Sequence, residues 1–80
     1  MDTYTAVRDR ILQLCYDRRI SIHKLAIESA VSPSTIKNIL YGKSQNPGIV
    51  TIKMICDGLN ITLPEFFSTS EFASLEQELK

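Results

Sequence analysis

Residues 21–41 read SIHKLAIESAVSPSTIKNILY. Two helix starts stand close together in this stretch. Ser21 is a hydroxyl N-cap ahead of Ile22-His23-Lys24-Leu25-Ala26, and its side-chain oxygen can accept a backbone N–H that has no partner inside the helix. Ser32 is the next such cap. Pro33 follows it at the first helical position, where the missing N–H costs nothing because that donor is unpaired in any case. The earlier helix ends near Ala30, with Ile22, Leu25, Ala26 and Ser29 inward. The later one runs from Pro33 to Tyr41, buries Ile36, Ile39 and Leu40, and stops at Gly42, which suits the left-handed position after a helix. Helices this short and this close force a sharp turn, so the second crosses the first steeply.

Working outward, the spacing predicts a helix from about Thr5 to Arg18. Tyr4, Val7, Ile11, Leu14, Cys15 and Arg18 recur at helical intervals, and Val7, Ile11 and Leu14 face the core. Leu12 and Tyr16 lie off that stripe, so they pack on the tail or on a second subunit. Lys43 to Gly48 (KSQNPG) is loop by composition. A fourth helix is expected from about Ile49 to Leu59, with Ile52, Ile55, Cys56 and Leu59 inward and Asn60 in the left-handed conformation that ends it. Thr62-x-x-Glu65 reads as a capping box for a short helical turn ending in Phe66-Phe67. Ser68-x-x-Glu71 reads as a second, ahead of a tail helix carrying Phe72, Leu75 and Leu79 on one face. No strand is expected. The fold class is all-α: a compact five-helix domain over residues 1–67 and a short helical tail over 68–80, serving packing or dimerisation.

Eighty residues make one domain with a small core, and 44% hydrophobic residues are enough to build it. No apolar run reaches the ~18 residues of a membrane span. The N-terminus, MDTYTAVRDR, lacks the basic and apolar regions of a secretory signal. Cys15 and Cys56 stand apart and read as reduced core thiols of a cytoplasmic protein; with one His in the chain they do not make the usual set of zinc ligands. No paired carboxylates, phosphate-cradling glycine loop or nucleophile with a base is visible, so neither an enzyme nor a cofactor is expected. His23 reads as a surface residue.

The net charge is zero, but its distribution is uneven. From Ser29 to Cys56 there is no acid, while Lys37, Lys43 and Lys53 lie inside; from Glu65 to Glu78 there are four acids and no base. The middle therefore suits an anionic partner, or the chain ends attract each other. The paired helices of residues 21–41 are a helix-turn-helix unit, whose second helix offers its first turns to the DNA major groove. Its outer face carries Ser34, Thr35, Lys37, Asn38 and Tyr41. Ser and Thr can donate or accept, Asn can take adenine by two hydrogen bonds, and Lys can reach guanine or a phosphate.

Residues 21–67 as a whole resemble the phage repressor/Cro-like helix-turn-helix family of XRE-type transcriptional regulators. The resemblance spans about Val7 to Phe67. It rests on Ser21 capping a helix that holds Leu25-Ala26, Val31-Ser32 leading into Ser34-Thr35-Ile36, Gly42-Lys43 after the next helix, Asn46-Pro47 before the fourth, and LNITL (59–63) leading into Phe66-Phe67. It implies a DNA-binding repressor, acting as a homodimer on a palindromic operator in double-stranded DNA. Base contacts fall to Ser34, Thr35, Lys37 and Asn38, and DNA-backbone contacts to Ser21, Ile22, Ser32, Tyr41, Lys43 and Ser44. No membrane and no small-molecule substrate are expected.

Four positions depart from the family pattern. Ala30 stands where the turn often has Gly. Ile22 replaces a common phosphate-holding Gln. Pro33 replaces a polar base reader. Cys15 and Leu40 replace an Arg–Glu pair together, so no lone charge is left buried. A different class of function remains open beside this one: a protein-interaction module, such as an antitoxin-like partner, using Leu12, Tyr16, Phe72, Leu75 and Leu79 as its working surface.

Overall fold

The computed structural model describes residues 1–79, and among these it contains six helices and no strand. They are α1 (Thr3–Arg18), α2 (Ile22–Ser29), α3 (Pro33–Leu40), α4 (Ile49–Gly58), α5 (Leu63–Phe66) and α6 (Ser70–Ala73). The core is one cluster drawn from the first five: Val7, Ile11, Leu14 and Cys15; Leu25 and Ala26; Ile36, Ile39 and Leu40; Ile52, Ile55 and Cys56; and Phe66, with Val31 and Leu59 from the connections. Cys15 and Leu40, the apolar substitutes for an ion pair, both lie in it.

Most helix starts follow the expected chemistry. Ser21 accepts from the Lys24 N–H (3.0 Å), and Ser32 from the Thr35 N–H (3.2 Å). The Thr62–Glu65 capping box is complete, each side chain meeting the other residue's backbone N–H. α1 begins two residues earlier than the periodicity indicated, because Asp2 is its cap and accepts from the Thr5 N–H at 2.8 Å.

Three helix ends share one geometry. Arg19, Ala30 and Asn60 adopt left-handed backbone, with φ of 54°, 55° and 59°. In each case that residue's N–H bonds the carbonyl three residues back, and the next N–H bonds the carbonyl five back: Ile20 to Cys15, Val31 to Ala26 and Ile61 to Cys56. This is the Schellman motif, which satisfies carbonyls the helix leaves open. Ala30 therefore takes the left-handed conformation without a glycine's freedom. Gly42, at φ 86°, takes it after α3 as expected.

The ends are also tied to other elements. Arg10 donates from Nε to the Phe66 carbonyl (2.8 Å) and from Nη2 to the Glu65 carbonyl (2.9 Å), clamping α1 to the end of α5. Arg18 donates to the Leu59 carbonyl and Tyr4 to the Ile39 carbonyl. The most extensive helix pairing is α2 against α4. It depends on Gly58, where a Cβ would stand 2.8 Å from the Cα and N of Ser29.

The tail differs from its expectation. Ser68 does not cap it; its hydroxyl donates to the Glu65 carbonyl (2.7 Å), and Thr69 precedes the helix without a side-chain cap bond. α6 is a single turn, and past it the Glu76 amide bonds the Met1 carbonyl and not a carbonyl of the tail, so the Phe72/Leu75/Leu79 stripe does not form. Phe72 packs on Phe66 and Phe67, with ring centroids 6.1 and 5.0 Å away, while Leu79 is 84% exposed. Beyond α6 the chain returns to the start of α1. Glu76 N–H donates to the Met1 carbonyl (3.3 Å), the Thr3 N–H donates to Glu78 (3.0 Å), and Glu76 lies 3.6 Å from the N-terminal ammonium. Leu12 and Tyr16 remain exposed, so the tail does not cover them.

Candidate nucleic-acid interface

α2, the turn and α3 form the unit anticipated for residues 21–41. Burial of Leu25 and Ala26 on α2, and of Ile36, Ile39 and Leu40 on α3, leaves the other face of α3 to solvent. Ser34, Thr35, Lys37 and Asn38 are all exposed on it, one or two turns from the N-terminus. The two helices have no acidic residue in their first turns.

The predicted backbone-contacting residues divide by what they already do. The hydroxyl of Ser21 accepts the Lys24 amide and retains a hydrogen and a lone pair, whereas that of Ser32 accepts the Thr35 amide and shares its remaining hydrogen and lone pair with the Ser34 and Thr35 hydroxyls. Ile22 is half-buried, and it offers a phosphate only its first-turn backbone N–H. Tyr41 is 71% exposed, so its ring projects from the end of α3 and is not part of the core. Lys43 is exposed just beyond it. Ser44 spends its amide on the Asn38 carbonyl (2.9 Å), which folds the loop back against α3 and leaves the hydroxyl as its contact group.

Lys37 and Lys43 make no ion pair among the described residues, whereas Lys53 is paired with Asp57 one turn along α4, and Lys24 with Glu28 along α2. The unpaired positive charge of the middle segment thus lies on and just after α3. The acidic tail folds onto the start of α1, where Glu78 borders a pocket shared with Gln45, Asn46 and Pro47 of the loop after α3.

The structure adds residues that the sequence reading passed over. A groove runs between α3 and the start of α4, lined by Thr35, Asn38, Ser44, Asn46, Gly48 and Thr51. Asn46 and Thr51 thereby join the α3 surface. In the sequence Asn46 stood only as a marker of the family pattern and Thr51 only within the acid-free run up to Cys56; loop composition alone did not place either on a contact surface. His23 is exposed on α2, and among the described residues no cluster of three His, Cys, Asp or Glu side chains comes together. Cys15 and Cys56 are buried free thiols, and burial pushes both upward in pKa, which keeps them protonated. No described helix is long and apolar enough to cross a membrane.

No similar sequence is found among curated proteins. The sequence profile of the Cro/C1-type HTH DNA-binding domain matches residues 10–71, which takes in everything from the middle of α1 into α6. With the helix order, the tight α2–α3 turn and the acid-free outer face of α3, that match settles the identity of the domain: this chain belongs to the Cro/C1-type helix-turn-helix DNA-binding family.

Proposed function

We propose that the protein is a sequence-specific transcriptional repressor that reads the major groove with α3 and binds a palindromic operator as a homodimer. The observation that carries this reading is the outer face of α3: four exposed side chains with base-reading chemistry, Ser34, Thr35, Lys37 and Asn38, on a face without acids. Ser21, Ile22, Ser32, Tyr41, Lys43 and Ser44 flank that face and hold the DNA backbone.

The dimer follows from length. An eight-residue helix is about 12 Å long, which spans only three or four base pairs at ~3.4 Å each. That is too little sequence to define an operator, and the two unpaired lysines on and just after α3, Lys37 and Lys43, give few phosphate contacts. A second copy doubles both, on half-sites about one helical turn apart. The DNA-binding domain occupies residues 1–67, and the tail over 68–80 adds packing through Phe72.

Selection of bound duplexes from a random pool, with the mass of the complex, tests the reading. The expected result is a palindrome bound by two chains. Ser34→Ala with Asn38→Ala abolishes the sequence preference and leaves the fold intact. Enrichment of nothing favours the interaction module instead, for which the exposed Leu12 and Tyr16 on α1 are the specific observation. A palindrome bound by one chain would remove the dimer from the proposal.

A further inference from the structure

The hydroxyls at the start of α3 are not independent of one another. Ser32 Oγ accepts from the Thr35 N–H (3.2 Å), and lies 2.8 Å from Thr35 Oγ1 and 3.3 Å from Ser34 Oγ. A serine hydroxyl has one hydrogen to give and two lone pairs to accept with. With the amide on one lone pair, Ser32 can bond both neighbours in only one manner: it accepts from one hydroxyl and donates to the other. The neighbour that donates has spent its only hydrogen and faces outward as an acceptor. The neighbour that accepts keeps its hydrogen and faces outward as a donor. Exchanging the roles reverses the order but not the sum. Between them, Ser34 and Thr35 present one outward hydrogen.

We propose that Ser32 is a positioning residue for base recognition: it links Ser34 and Thr35 into a one-donor, one-acceptor pair that selects adenine over guanine at the base they face. In the major groove adenine shows an acceptor at N7 and a donor at N6, which matches such a pair in either order. Guanine shows acceptors at both N7 and O6, and would require two hydrogens where the pair has one. Asn38, which takes adenine through its own amide, sits one turn farther along and is not part of this network. The inference rests on the DNA-reading function proposed above.

Duplex selection with the wild-type chain and with Thr35→Val and Ser32→Gly tests it. Valine keeps the shape of threonine without the hydroxyl, so Thr35→Val identifies the base pair that the hydroxyls face as the one position whose preference changes. Adenine is expected there in the wild type. Glycine is tolerated at an N-cap almost as well as serine, so Ser32→Gly leaves α3 helical while freeing both hydroxyls to donate. The ratio of affinities for adenine over guanine at that position then falls on the order of tenfold, the scale of one good bidentate contact. A merely structural role for Ser32 lowers affinity for both duplexes alike and leaves the ratio unchanged. An unchanged ratio, guanine in the wild-type site, or a Thr35→Val profile identical to wild type overturns the linked pair while the DNA-reading function stands. Enrichment of no sequence by the wild-type chain removes that function, and the pair with it.

Discussion

Ala30 shows how one residue can carry strain for a whole motif. Its left-handed backbone closes α2 through two hydrogen bonds and sets the angle at which α3 leaves. A non-glycine residue in this conformation is strained by roughly 1 kcal/mol. Ala30→Gly is therefore expected to stabilise the fold by up to about that amount, raising Tm by roughly 4–8 °C in a domain of this size. Thermal unfolding followed by circular dichroism measures it, and an unchanged or lower Tm would mean that the turn is unstrained with alanine in place. Asn60, at the end of α4, tolerates the same backbone at lower cost, because its short polar side chain is at home there. The helix caps Ser21, Ser32 and Thr62 were legible in the sequence because each acts on a backbone amide only three residues away. Asp2 was not, since the helical stripe read from the sequence begins at Tyr4 and nothing in it marks a start as early as Thr3.

At the scale of elements, the orientation of α2 rests on a contact between backbones. Gly58 on α4 meets the main chain of Ser29 and Glu28, and Ser29 turns its hydroxyl to the Leu25 carbonyl (2.6 Å). An alanine at 58 gains up to about 1 kcal/mol of helix propensity but pushes backbone against backbone, a kind of overpacking that costs about 1–3 kcal/mol. Gly58→Ala is expected to lower the urea midpoint, and to weaken DNA binding if α2 tilts and carries α3 with it. The Arg10 clamp on α5 is a second such device. Arg10→Met keeps much of the aliphatic stem and strands the Glu65 and Phe66 carbonyls, with an expected loss of about 1.5–3 kcal/mol in equilibrium unfolding. Neither device was visible as a pattern. Gly58 read as one more residue near the end of a helix, and Arg10 as one more charge, because their partners lie 29 and 56 positions away in the chain.

Over the whole molecule, zero net charge conceals a separation. The unpaired lysines 37 and 43 sit by the α3 face, while Glu76 and Glu78 fold back onto the start of α1. DNA affinity should therefore fall only gently with salt, and Lys43→Ala should lower the slope of log affinity against log salt by about one per subunit, irrespective of sequence. A slope that does not move would place Lys43 away from the phosphates. The ionisable core sets the pH range of the fold. Burial holds the Cys15 and Cys56 thiols above their ordinary pKa, so the stability this reflects is complete below about pH 8.5 and is lost as pH rises and the unfolded thiols ionise. Asp2 behaves oppositely: the Thr5 hydrogen bonds lower its pKa, so its cap stabilises above about pH 4 and fades as acid protonates it. Unfolding free energy measured from pH 4 to 10 should form a plateau that declines on the alkaline side, and the decline should flatten in the Cys15→Ala, Cys56→Ala double variant.

The sequence by itself determined the helices, their order, the core faces and the outward face of α3, because caps and apolar periodicity act over a few residues of chain. It also determined that α3 carries no acid. Beyond the sharp α2–α3 turn, tertiary structure alone decided how the helices pack, since that depends on Gly58 meeting Ser29 and on three side chains reaching distant carbonyls. It decided as well that Ser68 bonds back to Glu65 and that the tail helix stops after one turn, where the chain turns to bond the start of α1. And it decided which charges are unpaired on the α3 side. Pairing depends on distance in space, and the spacing of Lys37, Lys43 and Lys53 along the chain does not say which of them an acid can reach.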